Sequence, residues 1–538
     1  MTVKRRMRGA LGLATAMLLA GSCQKSQGLP PVMSFEAVQR AVYGMAPADT
    51  VGGGVIADLG QVLGRLRAFR AVLDSGPVTR TYVARGVAMA TEALGFDPLD
   101  AEGWKKVGVD PTGPVALFIG PKKSAQVLFR ASDAARAKET AMAWYQRGGA
   151  TEPFECATAG AYLHCGTPAW SLAADPASSL WPHVEKNVAP QTRAMEILVY
   201  APLDQGEAQE ALVAAKSPVK GLHAGYFGMT ITPERLVTRM GARLDEAVLA
   251  LPFLKARPGE SLLGLAAGGV SGGRITFSPD ALWALAKEKL GADLQVATGA
   301  VQGATGIELE KDVVDNLTGE IVVAGYRSAQ RTDGKGQLRT YTDRLGSAAL
   351  VGTRDDVRTR KLANRLGEML GGVVGTFGET AKGFGMTPAY RSDAGDRPVH
   401  WFSFEFDAER QKILGVPRVE IFLTSLPGGL AMGMGSVGVE ELRKRQGQKE
   451  AAFMSTLPLP EERMLFETSP FVFWGRAGEG FGTQMRINAA TALLGGPFPD
   501  VAKVLSEIPP IAQLLFDAVA AVEVENDHVE LFYQATFL

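Results

Sequence analysis

The sequence predicts an α+β protein in which two internally duplicated lobes of antiparallel sheet, each with packed helices, follow a cleaved N-terminal leader. Three observations predict this. A cationic and then apolar segment opens the chain. Two later stretches repeat one order of patterns. Short apolar runs alternate with polar residues on either side of two-residue turns, as half-buried antiparallel hairpins do.

The leader comes first. Lys4, Arg5, Arg6 and Arg8 precede an uncharged run from Gly9 to Ala20. A permanent span needs about 20 apolar residues, so this shorter run reads as a signal peptide over 1–22 that is removed. Ala20-Gly21-Ser22-Cys23 resembles a lipobox, with Ala20 where Leu is commonest. The resemblance implies cleavage before Cys23 and attachment of diacylglycerol and an N-acyl chain such as palmitate to that residue. Several acyl chains hold a protein stably on a bilayer, whereas one holds it marginally. Residues 23–34 then form a lipidated tether. Gln24 stands where the sorting rule of such proteins reads Asp as an inner-membrane signal, which implies the outer membrane, facing periplasm or surface.

Charge and composition bound the rest. The 538 residues carry 56 cationic and 57 anionic side chains, and loss of the four leader cations leaves 52 against 57, a net of −5. A weakly acidic surface lacks the basic footprint that nucleic acid requires. Apolar residues make up 46% of the chain, enough for sizeable cores.

Lipidation of Cys23 leaves two thiols, Cys156 and Cys165, in an oxidising compartment. The segment between them reads as a hairpin with Gly160-Ala161 at its tip, Gly first, which suits a type II′ turn. In that register Ala159 faces Tyr162, Thr158 faces Leu163, Ala157 faces His164 and Cys156 faces Cys165. The cysteines fall on a non-hydrogen-bonded position, where Cα atoms approach to about 4.5 Å, within disulfide range. A metal or redox site from Cys156, His164 and Cys165 lacks both a CxxC motif and a fourth ligand.

The repeat comes next. Thr112-Gly113 leads an apolar strand, then Ala125 to Arg130, then Ser132-Asp133-Ala-Ala-Arg136 and a helix-like run. Thr318-Gly319 leads another, then Ser347 to Gly352, then Thr353-Arg-Asp355-Asp356-Val-Arg358 and a second helix-like run. The second copy is longer, and its extra residues coincide with the polar stretch beginning Arg331-Thr-Asp-Gly-Lys-Gly, as insertions in surface loops do. Ser132 and Thr353 are expected to cap the helices that follow, Thr353 with Asp356 as a capping box. The cysteine hairpin has a counterpart in Val419 to Thr424, a Pro427-Gly428 turn and Leu430 to Met434, with Met434 in the place of Cys165. Ile197 to Tyr200 and Phe471 to Trp474 are further strands. Val522 to Leu531 alternates about Asn526-Asp527 as a closing hairpin. With Arg257-Pro258-Gly259-Glu260 as the boundary, the first α+β lobe is placed at 35–250 and the second at 251–538.

Motifs that carry chemistry are sparse. Gly269-Val-Ser271-Gly-Gly273 matches the G-x-S-x-G nucleophile elbow, which makes Ser271 the candidate for a serine hydrolase. That elbow needs a helix directly after the serine, yet Arg274 to Phe277 reads as a strand and a helix starts only at Ser278-Pro279. Gly433-Met-Gly435-Ser-Val-Gly438 matches a dinucleotide loop, but the strand before it belongs to an antiparallel hairpin rather than a βαβ unit. His400 and His528 are isolated on strand-like segments, and the histidines show no metal-binding spacing. No catalytic residue, metal or cofactor is assigned.

The leader, Cys23, Pro47-Ala-Asp-Thr50, the repeated strand and helix units and the cysteine hairpin together resemble a class of large periplasmic lipoproteins of unknown function, common in myxobacteria and similar proteobacteria. The resemblance implies membrane attachment and a duplicated fold, and transfers no catalytic residues. The expectation is a membrane-anchored, non-enzymatic binding or scaffold module whose partner is an envelope protein or an apolar ligand. The alternatives are a carrier of lipid or another apolar ligand in a cleft and, third, a hydrolase at Ser271.

Overall fold

A computed structural model describes residues 34–537 apart from 75–76, 122–123, 148–152, 168–171, 174, 205–208, 210–220, 233–234, 246–260, 328–344, 377, 384, 409–410, 412–416, 477–514 and 526. The leader, Cys23, the tether, the Arg331 loop, the 257–260 boundary and Asn526 lie outside the described residues. The chain is α+β, with antiparallel sheet throughout and helices packed on it. No described helix is long and apolar enough to cross a membrane.

Two compact units divide the described residues. The first holds those before 250, Leu515–Phe516 and those from 525 onward; the second holds those from 250 to 502 and Asp517–Val524. The C-terminal strand therefore belongs to the first unit, which departs from a second lobe running unbroken over 251–538.

The first unit contains β1 (Gly52–Ile56), β2 (Val115–Ile119), β3 (Ala125–Arg130), β4 (Glu155–Ala159), β5 (Tyr162–Gly166), β6 (Ile197–Pro202), β7 (Leu222–Ile231) and β8 (Arg235–Leu244). The second contains β9 (Ser271–Thr276), β10 (Leu317–Arg327), β11 (Leu345–Thr353), β12 (Met386–Ser392), β13 (His400–Phe406), β14 (Arg418–Leu426), β15 (Gly429–Met434) and β16 (Phe471–Gly475), and is joined by residues 518–522 of β17 (Leu515–Glu525). Strand β18 (His528–Phe537) returns to pair with β8. Within the first unit the strand order is β4-β5-β3-β2-β1-β6-β7-β8-β18. In the second it is β12-β13-β14-β15-β11-β10-β9-β16-β17.

Turn chemistry sets the two inner hairpins. Gly160 has φ +61° and Gly428 φ +80°, conformations that β-carbons disfavour. The first turn fixes the register read from the sequence, with Cys156 opposite Cys165, Cα atoms 4.1 Å apart and sulfurs 2.11 Å apart, at disulfide distance. The second fixes Leu426 opposite Gly429 and hence Leu423 opposite Met432. Counted from its turn, Met432 and not Met434 stands where Cys165 stands from its own, a correction of two residues.

Helix starts also differ in detail from expectation. Asp133 Oδ1 accepts from Arg136 N at the head of helix Ala134–Arg147, and Asp355 Oδ1 accepts from Val357 N and Arg358 N at the head of helix Asp356–Thr376. Ser132 and Thr353 do not cap. A carboxylate one or two residues nearer the helix satisfies its orphan amides instead, and its charge suits the positive end of the helix dipole. Thr353 Oγ1 is buried and accepts from Thr359 Oγ1 at 2.7 Å. Ser278 does cap as read, accepting from Ala281 N, with Pro279 opening the helix to Thr305, which kinks at Gly291.

In the first unit, one face of the sheet holds Val55, Phe118, Leu128, Leu198 and Tyr200 against helices Phe35–Tyr43 and Trp181–Asn187. The other holds Ile56, Phe129, Leu163 and Ile197 against helices Leu59–Leu73 and Ala134–Arg147. Alternation along each strand separates the two cores.

Candidate functional site

Register defines a row of apolar residues across six strands of the first unit: Leu163, Phe129, Val115, Ile56, Ile197 and Met229. Leu59, Leu63, Leu66, Leu99 and Trp104 bury it. Phe96, Trp104 and Trp144 add an aromatic cluster with centroids 5.3 to 6.4 Å apart. Packing of this kind is the ordinary fate of a sheet's apolar face.

The second unit has a row of the same kind: Leu430, Val351, Ile321, Ile275, Phe471 and Val522. Here three members line a cleft of about 400 Å³ instead of a filled core. Leu362, Leu366 and Met369 on helix Asp356–Thr376 form one wall. Val301 and Thr305, near the end of helix Pro279–Thr305, with Ile307, Leu309 and Val313 beyond it, form the other. Spacing of three and four residues puts the helix residues on one face. The volume falls within the range of small-molecule sites, about 300–1,000 Å³.

The three polar side chains in the lining are already engaged. Thr305 Oγ1 donates to Val301 O and accepts from Ile307 N. Asn316 donates to Thr359 Oγ1 and accepts from Asp355 N. Thr353 holds Thr359. The cleft therefore presents hydrocarbon to whatever enters.

Ser271 begins β9, pairs with Gly325 and Gly475 and is followed by strand to Thr276, so the elbow geometry is absent. Among the described residues no histidine or carboxylate hydrogen-bonds its hydroxyl. The glycines of 433–438 serve close packing: a β-carbon at Gly433 would lie 2.0 Å from Ser347 O, and one at Gly438 2.9 Å from the Phe422 ring. They seat helix Gly435–Lys444 on the sheet. Cys165 is wholly buried, and strand alternation turns His164 to the opposite face, so the two do not converge. Among the described residues no group of three or more His, Cys, Asp or Glu could hold a metal.

His400 is buried beneath helix Asp356–Thr376, where Gly367 leaves room for its ring. It contacts the Tyr390 hydroxyl at 2.8 Å, and burial lowers its pKa. This is a packed histidine. His528 lies 2.6 Å from Asp527. The sequence suggested an apolar cleft only as an alternative and named none of its residues, which alternate as core residues do; it gave no sign of His223, held between Asp204 at 3.0 Å and Asp245 at 2.7 Å, which raise its pKa.

Comparison with known proteins finds no matching family model, no matching curated protein and no matching solved structure. The reading of function rests on the residues themselves.

Proposed function

We propose that this chain is a non-enzymatic bacterial envelope lipoprotein, anchored through Cys23 in the outer membrane, that binds an apolar ligand in the cleft of its second unit. One observation carries the binding part: the row Leu430-Val351-Ile321 is left open, whereas the corresponding row of the first unit is filled by the chain's own apolar side chains. Bare apolar surface costs free energy of about 25 cal/mol per Å², which an apolar ligand relieves on binding.

We also read the two units as copies of one plan. Order β4-β5-β3-β2-β1-β6-β7 in the first is matched by β14-β15-β11-β10-β9-β16-β17 in the second. Hairpin β12-β13 is an addition with no counterpart. On this reading one copy keeps a solid core and the other has exchanged part of its core for a ligand site, as duplication permits.

The test is native mass spectrometry of the chain taken from envelopes, beyond the mass of its own anchor. Co-purifying lipid, lost on organic extraction and regained on addition of lipid, supports the reading. Protein that is clean as isolated and binds no apolar probe refutes it.

A further inference from the structure

The apolar row does not end where the cleft does. Beyond Leu430, Val351 and Ile321, the same row continues through Ile275 to Phe471 and Val522, all on the same sheet face by register. Phe471 is 39% exposed, and Ile275 and Val522 beside it are half-buried. Its ring meets that of Phe473 edge to face at 5.0 Å, an aromatic patch one strand short of the end of the row. The whole row crosses six strands, on the order of 24 Å at the usual spacing between strands.

Every residue of the row is apolar. The surface that the enclosed part presents is hydrocarbon, with Thr305, Asn316 and Thr353 each engaged in hydrogen bonds within the protein. A polar or charged group drawn inside would lose its water without replacement, a cost of several kcal/mol for a charge. A compact polycyclic ligand fills a pocket but leaves a long, narrow row uncovered.

Building on the reading of the cleft as a ligand site, we infer that the ligand is a single extended hydrocarbon chain of a lipid. One end of it lies against Leu362, Leu366 and Met369. The rest runs along the row past Ile275 towards Phe471, and the polar group stays outside the enclosed part. Specificity is then for chain length rather than for headgroup, since the protein reads only methylenes.

Calorimetric titration of the extracted protein with octanoate, laurate, palmitate and stearate tests this, with cholesterol as a rigid probe. Affinity is expected to rise about fourfold for each added methylene until the row is covered. Phe471→Ser, which removes an exposed aromatic contact outside the enclosed part, should bind palmitate about tenfold more weakly and leave octanoate, short enough for the enclosed part, less affected. Thermal melting shows whether that variant is folded; the chain-length series on the parent decides the matter if it is not. Equal affinity across the series, or tight binding of cholesterol with weak binding of every fatty acid, overturns the extended-chain assignment while leaving an apolar site in place. Failure of all five probes to bind overturns the ligand site itself.

Discussion

Arg65 and Glu196 meet in the first unit with Nη1 2.5 Å from Oε2, and Glu196 has no exposed surface. Burial pushes the Glu196 carboxyl up to about 7, against the pull of Arg65 and the Ile231 amide. The native unit therefore binds a proton more tightly here than the unfolded chain does, whose carboxyl titrates near 4.5. Its contribution to stability is fully present below the unfolded value and is lost as the pH rises through the folded one. The loss amounts to about 3 kcal/mol between pH 5 and 8. Glu196→Gln stays neutral, so urea unfolding of the first unit should lose about that much less over the same window. Parallel slopes for parent and variant would refute the assignment.

The bridge between Cys156 and Cys165 closes a loop with a sequence separation of 9, tying edge strand β4 to β5. Loop closure of that size is worth about 2–3 kcal/mol in the chain-entropy account. Cys156→Ser with Cys165→Ser should lower the melting temperature of the first unit by several degrees and leave the second unit's transition in place. Dithiothreitol should reproduce the shift in the parent and have no effect on the variant. An unchanged melt would mean that the pair contributes nothing to stability.

The proposed anchoring rests on one atom, the sulfur of Cys23. Replacement by serine should abolish incorporation of labelled palmitate and move the chain from the membrane fraction to the soluble one, since removal of acyl chains removes the main source of membrane affinity. Palmitate incorporation that survives Cys23→Ser would place the lipid on another residue.

Local rules made some of this legible in the sequence and left the rest hidden. The pairing of Cys156 with Cys165 could be counted because a two-residue turn leaves a hairpin little choice of register. Cap positions were harder: Ser132 and Asp133 are both good caps, and so are Thr353 and Asp355, and a shift of one or two residues decides which reaches the free amides. The place of the cleft was not legible. Val115, Phe129 and Leu163 carry the same alternation as Ile321, Val351 and Leu430, and what separates a filled core from an open one is the arrival of Leu63, Leu66 and Trp104 from distant helices. Glu196 likewise follows Met195 as any surface glutamate could, and only the fold shows that both its neighbours in space and its burial are unusual.

Val351 and Phe129 occupy matching steps of the two rows, one facing the cleft and the other 4% exposed in a packed core. Val351→Phe should therefore place in the second unit the side chain that fills the first. An added ring in open apolar space buries surface that was wet, and is expected to raise stability by about 1 kcal/mol and the melting temperature by about 2–4 °C. The same ring removes the space a ligand needs, so palmitate affinity should fall at least tenfold. Most core substitutions move stability and binding in the same direction, because a loosened fold loses both. A rise in one with a fall in the other is the signature of a filled site. Val351→Ala is the companion measurement: it widens the cleft, lowers stability and keeps binding. If Val351→Phe binds palmitate as tightly as the parent does, the ligand does not lie between Val351 and helix Asp356–Thr376.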